Sequence, residues 1–294
     1  MGDHVGVALS DERMRELATR LTGVPGVVGV LLGGSRARGT HLPDSDTDLG
    51  IYYRPPLDVV ALGDLARAVA GGGATVTAPG GWGPWVDGGA WLTVEGSPVD
   101  WIYRDTDRVH AAWADAEQGR YAFHAQAGHP LGVPDFAYPG EVALGTVLAD
   151  PTGELAALRH RTLSYPPALT DALIAGLWEA DFLVGLARKA APRGDAAYLA
   201  GCLFRLVGVC VHALHGAAGR WLVNEKGAVV AAAALPGAPA GLRARVDALF
   251  ASVDADPVRI MATLDAAADL VLDTADACVT MSRRVDDDVD RQAR

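Results

Sequence analysis

Residues 33–49 read Gly33-Gly34-Ser35-Arg36-Ala37-Arg38-Gly39-Thr40-His41-Leu42-Pro43-Asp44-Ser45-Asp46-Thr47-Asp48-Leu49, and how they are read decides the rest of the chain. A hydrophobic run, Val27 to Leu32, leads in; a second, Leu49 to Tyr53, leads out. The pattern predicts a Gly-Gly-Ser turn at the end of one strand and an Asp-x-Asp pair on the next. Alternate residues of a strand point to one face, so Asp46 and Asp48 aim their carboxylates at one spot. Two close carboxylates repel unless a cation lies between them, and hard oxygen ligands suit Mg²⁺. The turn offers Gly34 for close backbone approach and the Ser35 hydroxyl, the groups that cradle phosphate. Together they describe a site for a Mg²⁺-bound nucleoside triphosphate. Asp44 reads as a turn residue outside the pair.

In these residues the chain resembles the nucleotidyltransferases of the DNA polymerase beta superfamily. Their motif is Gly-(Gly/Ser), about ten residues, then Asp-x-(Asp/Glu) between hydrophobics; here residues 36–45 separate Ser35 from Asp46. The resemblance covers residues 27–104. It implies a third carboxylate on a later strand, and Val99-Asp100-Trp101-Ile102-Tyr103 supplies Asp100 between apolar neighbours. It further implies two Mg²⁺ ions held by Asp46, Asp48 and Asp100, with ATP or another nucleoside triphosphate as the donor. Gly34, Ser35 and Arg36 are the expected triphosphate contacts.

Outward from the motif, the order of elements predicts an α+β chain. A helix is expected over Asp11–Leu21 with Ser10 as its N-cap, and another over Asp58–Ala70 closed by Gly71-Gly72-Gly73. Strands are expected near Thr75–Thr77, Ala90–Glu95 and Val99–Arg104, then a helix from Asp105 to Gln118. Residues 1–145 read as a mixed-sheet catalytic domain with helices. After Pro151 the pattern becomes long and helical: Thr170–Ala190, Asp195–Leu214, Ala240–Val253 and Pro257–Arg283. Residues 146–284 therefore read as a helical bundle on the acceptor side, and 285–294 as a charged, solvated tail. The glycine-rich segment 80–89, with Trp82 and Trp85, reads as a hairpin loop packing tryptophan on the core, a mobile flap being the alternative.

In the helical region Glu179 and Asp181 lie among Leu173, Leu177, Phe182 and Leu183, and an acid on an apolar helix face needs a partner or a task. The chain resembles the small-molecule branch of the superfamily, typified by kanamycin nucleotidyltransferase. That resemblance implies a general base for the acceptor hydroxyl in the helical domain; Glu179 is the first choice and Asp181 the second. Lys226, in Asn224-Glu225-Lys226-Gly227, could reach triphosphate as a point charge. Arg205 and His212 have the spacing of the Arg-(four to six)-His pair of helical nucleotide-binding ribonucleases, a pair frequent by chance.

The 294 residues are 50% apolar, enough for two domains with real cores. The formal net charge of −11 disfavours a long nucleic acid as acceptor and suits a neutral or cationic small one. Cys202, Cys210 and Cys278 fit buried thiols in a reducing cytosol. The opening Met1-Gly2-Asp3-His4 has no basic n-region, and no apolar run of 18 residues or more stands out as a membrane span. A cytoplasmic enzyme is expected. The resemblance implies Mg²⁺-dependent transfer of a nucleoside monophosphate, most simply AMP from ATP, to a hydroxyl of a small molecule such as an aminoglycoside-like antibiotic. Two alternatives are an antitoxin-like adenylyltransferase acting on a protein or tRNA end, and a non-catalytic nucleotide-binding module.

Overall fold

A computed structural model describes residues 9–39, 41–42 and 45–292, with side chains to 284. Asp44 and the amino-terminal segment 1–8 lie outside the described residues. The chain forms two compact units: residues 1–114 with 124–164, and residues 115–123 with 165–294.

The first unit opens with α1 (Asp11–Thr22), whose Ser10 side chain accepts a hydrogen bond from the Arg13 amide as an N-cap should. Then come β1 (Val27–Leu32), the single-turn α2 (Gly34–Ala37), β2 (Thr47–Tyr53), α3 (Val59–Ala70), β3 (Gly89–Val94), β4 (Ser97–Asp105) and α4 (Thr106–Ala116). A two-stranded hairpin, β5 (Phe123–Gln126) and β6 (His129–Pro134), precedes α5 (Ala137–Leu144), β7 (Thr146–Ala149) and α6 (Glu154–Thr162). The main sheet runs β3-β4-β2-β1-β7. Only the β2–β4 pair is parallel, so the sheet is mixed.

Strand alternation sorts this sheet into two faces. Val30, Leu32, Leu49, Ile51, Leu92, Val99, Trp101 and Tyr103 are buried with Leu17 and Leu21 of α1 and Leu62 and Ala66 of α3. The opposite face carries Asp48 and Tyr52 on β2 and Asp100 and Arg104 on β4. At the carboxyl end of those strands Arg104 is 6% exposed and donates from Nε and Nη2 to the Glu141 carboxylate of α5 at 2.6 and 2.7 Å. Burial works against the Arg104 charge, but Glu141 outweighs it and holds the guanidinium above its ordinary value. The other end of the same face bears the carboxylates.

Three expectations change in this unit. Residues 75–77 form no strand; Thr77 clips onto the edge instead, its amide donating to the Gly89 carbonyl at 2.9 Å. Residues 80–89 form the expected loop, but its Trp82 stacks on the outward Trp91 rather than on the core. Gln126 accepts from the Trp85 and Val86 amides at 3.0 Å and donates to the Trp82 carbonyl at 2.8 Å. Residues 146–164, assigned by composition to the second domain, lie in the first unit, because β7 pairs antiparallel with β1.

The second unit holds α7 (Pro167–Ala175), α8 (Trp178–Ala190), a 3₁₀ turn (Ala191–Arg193), α9 (Ala196–Ala217), α10 (Ala228–Ala233), α11 (Leu242–Ala251) and α12 (Pro257–Gln292). The single helix expected over 170–190 is broken at Gly176, where a Cβ would stand 2.5 Å from the Tyr121 hydroxyl. The chain is helical to Gln292 rather than ending at Arg283 in a tail, since no Gly or Pro follows Pro257. Contrary to the reading that no segment is of membrane-spanning character, α9 is long and apolar enough to cross a membrane. It is the bundle's central helix, with 67% of that stretch buried.

Candidate active site

The site begins where β1 ends. The Gly33 amide donates to the Asp48 carbonyl at 2.8 Å, tying the turn to β2. Gly34 follows with φ +61°, and a Cβ on it would stand 1.7 Å from Asp48 Oδ2. Only glycine lets this backbone pass so close to a carboxylate, and only glycine takes that φ without cost. Ser35 follows in α2.

Arg36 is placed differently from expectation. Its Nε donates to the Asp46 carbonyl at 3.0 Å, and its Nη2 donates to the Ser45 carbonyl. A guanidinium fork suits two adjacent acceptors. The side chain thus closes the 36–46 loop and fixes the backbone on which Asp46 is carried. This positioning task was not visible in the motif; the signal for it was the ten-residue loop, which needs a clasp.

Register supplies the third carboxylate. Asp48 pairs with Asp100 across the parallel β2–β4 ladder, so the two side chains stand on one face in neighbouring strands. Asp46 immediately precedes β2 and is exposed; Asp48 and Asp100 are half-buried. Burial, then the nearby charges of Asp48 and Asp46, push the Asp100 carboxyl up to about 6. Both other acids therefore lie near enough to act on Asp100. As the side chains stand, however, no group of three or more His, Cys, Asp or Glu among the described residues forms a ready-made metal cage. Asp48 lies against the Gly34 turn rather than centred between its partners.

The donor chemistry nevertheless fits a hard divalent cation. The ligand set is anionic oxygen alone, as Mg²⁺ prefers. Asp100 is raised by burial first and by the Asp48 and Asp46 charges second, and a cation would offset both.

The remaining expected residues lie in the second unit. Glu179 of α8 accepts from Arg205 Nε at 2.6 Å and Nη2 at 2.9 Å. Arg205 also lies 4.6 Å over the Phe123 ring. Asp181 is exposed. Lys226 is exposed in the loop before α10, its amide donating to Asn224 Oδ1 at 2.9 Å. His212 is 2% exposed, and burial, with His215 and Arg205, lowers its imidazole to about 3. That places it in the bundle core, not at a reactive surface.

Sequence reasoning missed one conspicuous neighbour. Trp91 pairs with Asp100 across the antiparallel β3–β4 ladder. The signal was present: Ala90, Leu92 and Val94 alternate inward, leaving a tryptophan at an outward position.

No curated protein matches the chain. Among solved structures, a nucleotidyltransferase-like protein from Exiguobacterium sibiricum 255-15 is similar at 12% identity, covering 94% of this chain and 79% of that one, with a TM-score of 0.38. A resemblance so distant carries no argument about the chemistry. The family model for the nucleotidyltransferase domain matches residues 13–71, which contain Gly34, Ser35, Asp46 and Asp48. In that segment the chain is similar to a nucleotidyltransferase domain, and nucleotide transfer is the class of chemistry this similarity supports.

Proposed function

We propose that the chain is a Mg²⁺-dependent nucleotidyltransferase that moves a nucleoside monophosphate, most simply AMP from ATP, to a hydroxyl of a small acceptor. The observation that carries this reading is the row Gly34–Asp48–Asp100, in which a phosphate-type turn abuts two carboxylates facing one way, with Asp46 beside them. Asp46, Asp48 and Asp100 would hold the two Mg²⁺ ions. When bound, such ions supply neutralisation of the triphosphate and activation of an attacking oxygen. Gly34 and Ser35 receive the outer phosphates, the glycine by letting the backbone approach and the serine by its hydroxyl. Arg36 keeps Asp46 in place. Lys226 is proposed as a further cationic contact for triphosphate.

Asp100 is proposed to serve the attacking hydroxyl, a role supported by its place on the far side of Asp48 from the Gly34 turn. Its tendency to hold a proton in the metal-free protein sets the proton against Mg²⁺ at this carboxylate, so Mg²⁺ affinity should strengthen as pH rises. Glu179 is proposed to accept the acceptor's proton. A carboxylate offers about four lone-pair positions, and Arg205 occupies two, leaving capacity for a hydroxyl. Glu179→Gln should then lower turnover by roughly 10²–10⁴-fold while leaving the ATP-dependent melting shift unchanged. A variant that melts earlier but turns over normally would reduce Glu179 to a brace for Arg205.

The acidic chain favours a cationic, aminoglycoside-like acceptor and no long nucleic acid, and the buried free thiols Cys202, Cys210 and Cys278 suit a cytoplasmic setting. The deciding experiment is incubation with each of ATP, CTP, GTP and UTP, Mg²⁺, and a panel of amino sugars, RNA and proteins, followed by mass spectrometry. A nucleotide adduct on a small molecule supports the reading. Adducts on RNA or protein alone, or on nothing, overturn it.

A further inference from the structure

The row of residues that carries the site continues past the carboxylates. Asp48 pairs with Asp100, and Asp100 pairs with Trp91. Directly paired residues on adjacent strands share a face, and strands lie about 4.8 Å apart. Trp91 therefore stands one strand beyond Asp100 and two beyond Asp48, on the side away from the Gly34 turn. It is 72% exposed, although it is a tryptophan on an edge strand.

It is also built, not merely exposed. Trp82 stacks on it with ring centroids 4.3 Å apart and planes 15° from parallel. Trp82 is held from behind, its carbonyl bound by Gln126. Its ring also lies close above Gly89, where a Cβ would meet it at 3.0 Å. The result is a fixed pair of indoles, one backing the other, beside three carboxylates.

We propose that the Trp82–Trp91 pair is the acceptor platform, stacking the flat face of a cationic amino-sugar ring whose hydroxyl points toward Asp100. This rests on the proposed nucleotidyl transfer for its direction along the row: triphosphate at Gly34 and Ser35, acceptor beyond Asp100. The chemistry is complementary. Indole faces attract the C–H bonds of a sugar ring and, more strongly, an ammonium group. The adjacent carboxylates favour the same charge. A nucleobase would instead have to reach across both Asp48 and Asp100 from the phosphate turn.

Calorimetric titration of the full chain tests this, using kanamycin as the cationic amino sugar, sucrose as a neutral ring compound, and ATP with Mg²⁺. Wild type should bind kanamycin and not sucrose. Trp91→Ala should weaken kanamycin about tenfold or more, Trp91→Phe should retain most of the affinity, and ATP binding should be the same in all three. Unchanged kanamycin affinity in Trp91→Ala overturns the platform, as does absence of kanamycin binding in wild type. So does a loss of ATP affinity in its place, which would make the pair a base-stacking surface. Trp91-dependent kanamycin binding without nucleotide adducts in the transfer panel would leave the platform standing and remove the nucleotidyl-transfer reading instead.

Discussion

Gly34 and Asp48 compete for the same space. With Gly34 at φ +61° and its missing Cβ falling 1.7 Å from the Asp48 carboxylate, an alanine there must twist the turn or expel the acid. Gly34→Ala should cost about 1–2 kcal/mol of stability from the left-handed backbone alone. It should also lower transfer by roughly a hundredfold or more, since small misplacements at a reacting centre have that effect. Melting curves and turnover check the two parts separately. Asp100 carries the second residue-scale expectation. Its folded value of about 6 lies above its ordinary one. The folded state therefore binds the proton more tightly than the unfolded chain does. Stability from this group is present at low pH and lost as pH rises through about 6. Asp100→Asn, in EDTA, should thus melt higher than wild type at pH 8 and equal to it at pH 4. The half-exposed site is screened, so the gain is about 1 kcal/mol, roughly 2–4 °C. A variant that melts lower at pH 8 would contradict the repulsion.

At the scale of elements, the sheet face is divided between structure and chemistry. One end is sealed by Arg104 on β4 against Glu141 on α5; the other is left to Asp48, Asp100 and Trp91. Arg104 is buried and Glu141 partly so, and removing the acid strands the buried guanidinium. Glu141→Gln should cost about 3 kcal/mol, read in denaturant unfolding, and the double variant Arg104→Met with Glu141→Leu should recover most of it. Equal losses in both would mean that shape, not charge, matters there. The elements nearest the motif were legible in the sequence: β1 runs Val27–Leu32 as its hydrophobic run predicts, and the Ser10 and Asp58 side chains cap α1 and α3. Elements held by tertiary contacts were not. β7 is four residues long and gains meaning only from β1, which is distant in sequence, and the short β5–β6 hairpin carries no long apolar alternation to announce it. The break at Gly176 depends on Tyr121, which no local pattern reveals.

At the scale of the whole molecule, the two units contribute differently to what can be read. The first carries a chemical motif part of which is visible in the geometry: Asp48 and Asp100 share one sheet face, the Gly34 turn lies against Asp48, and Asp46 immediately precedes β2. The clasp made by Arg36 and the pairing of Trp91 with Asp100 were hidden because each depends on which residues lie opposite, and register is not written in any one strand. The second unit is a helical bundle whose ionisable groups pair among themselves, as Glu179 does with Arg205. Its periodicity shows helices plainly and says little about chemistry. The central claim is that nucleotide, not phosphate, is transferred at the carboxylate row. ATP labelled on the α-phosphorus in one reaction and on the γ-phosphorus in another, given with Mg²⁺ and kanamycin to wild type and to Asp48→Asn, tests it most directly. The account predicts the α label on the acceptor, the γ label in pyrophosphate, and neither product from Asp48→Asn. The γ label on the acceptor, or undiminished transfer by Asp48→Asn, would contradict it.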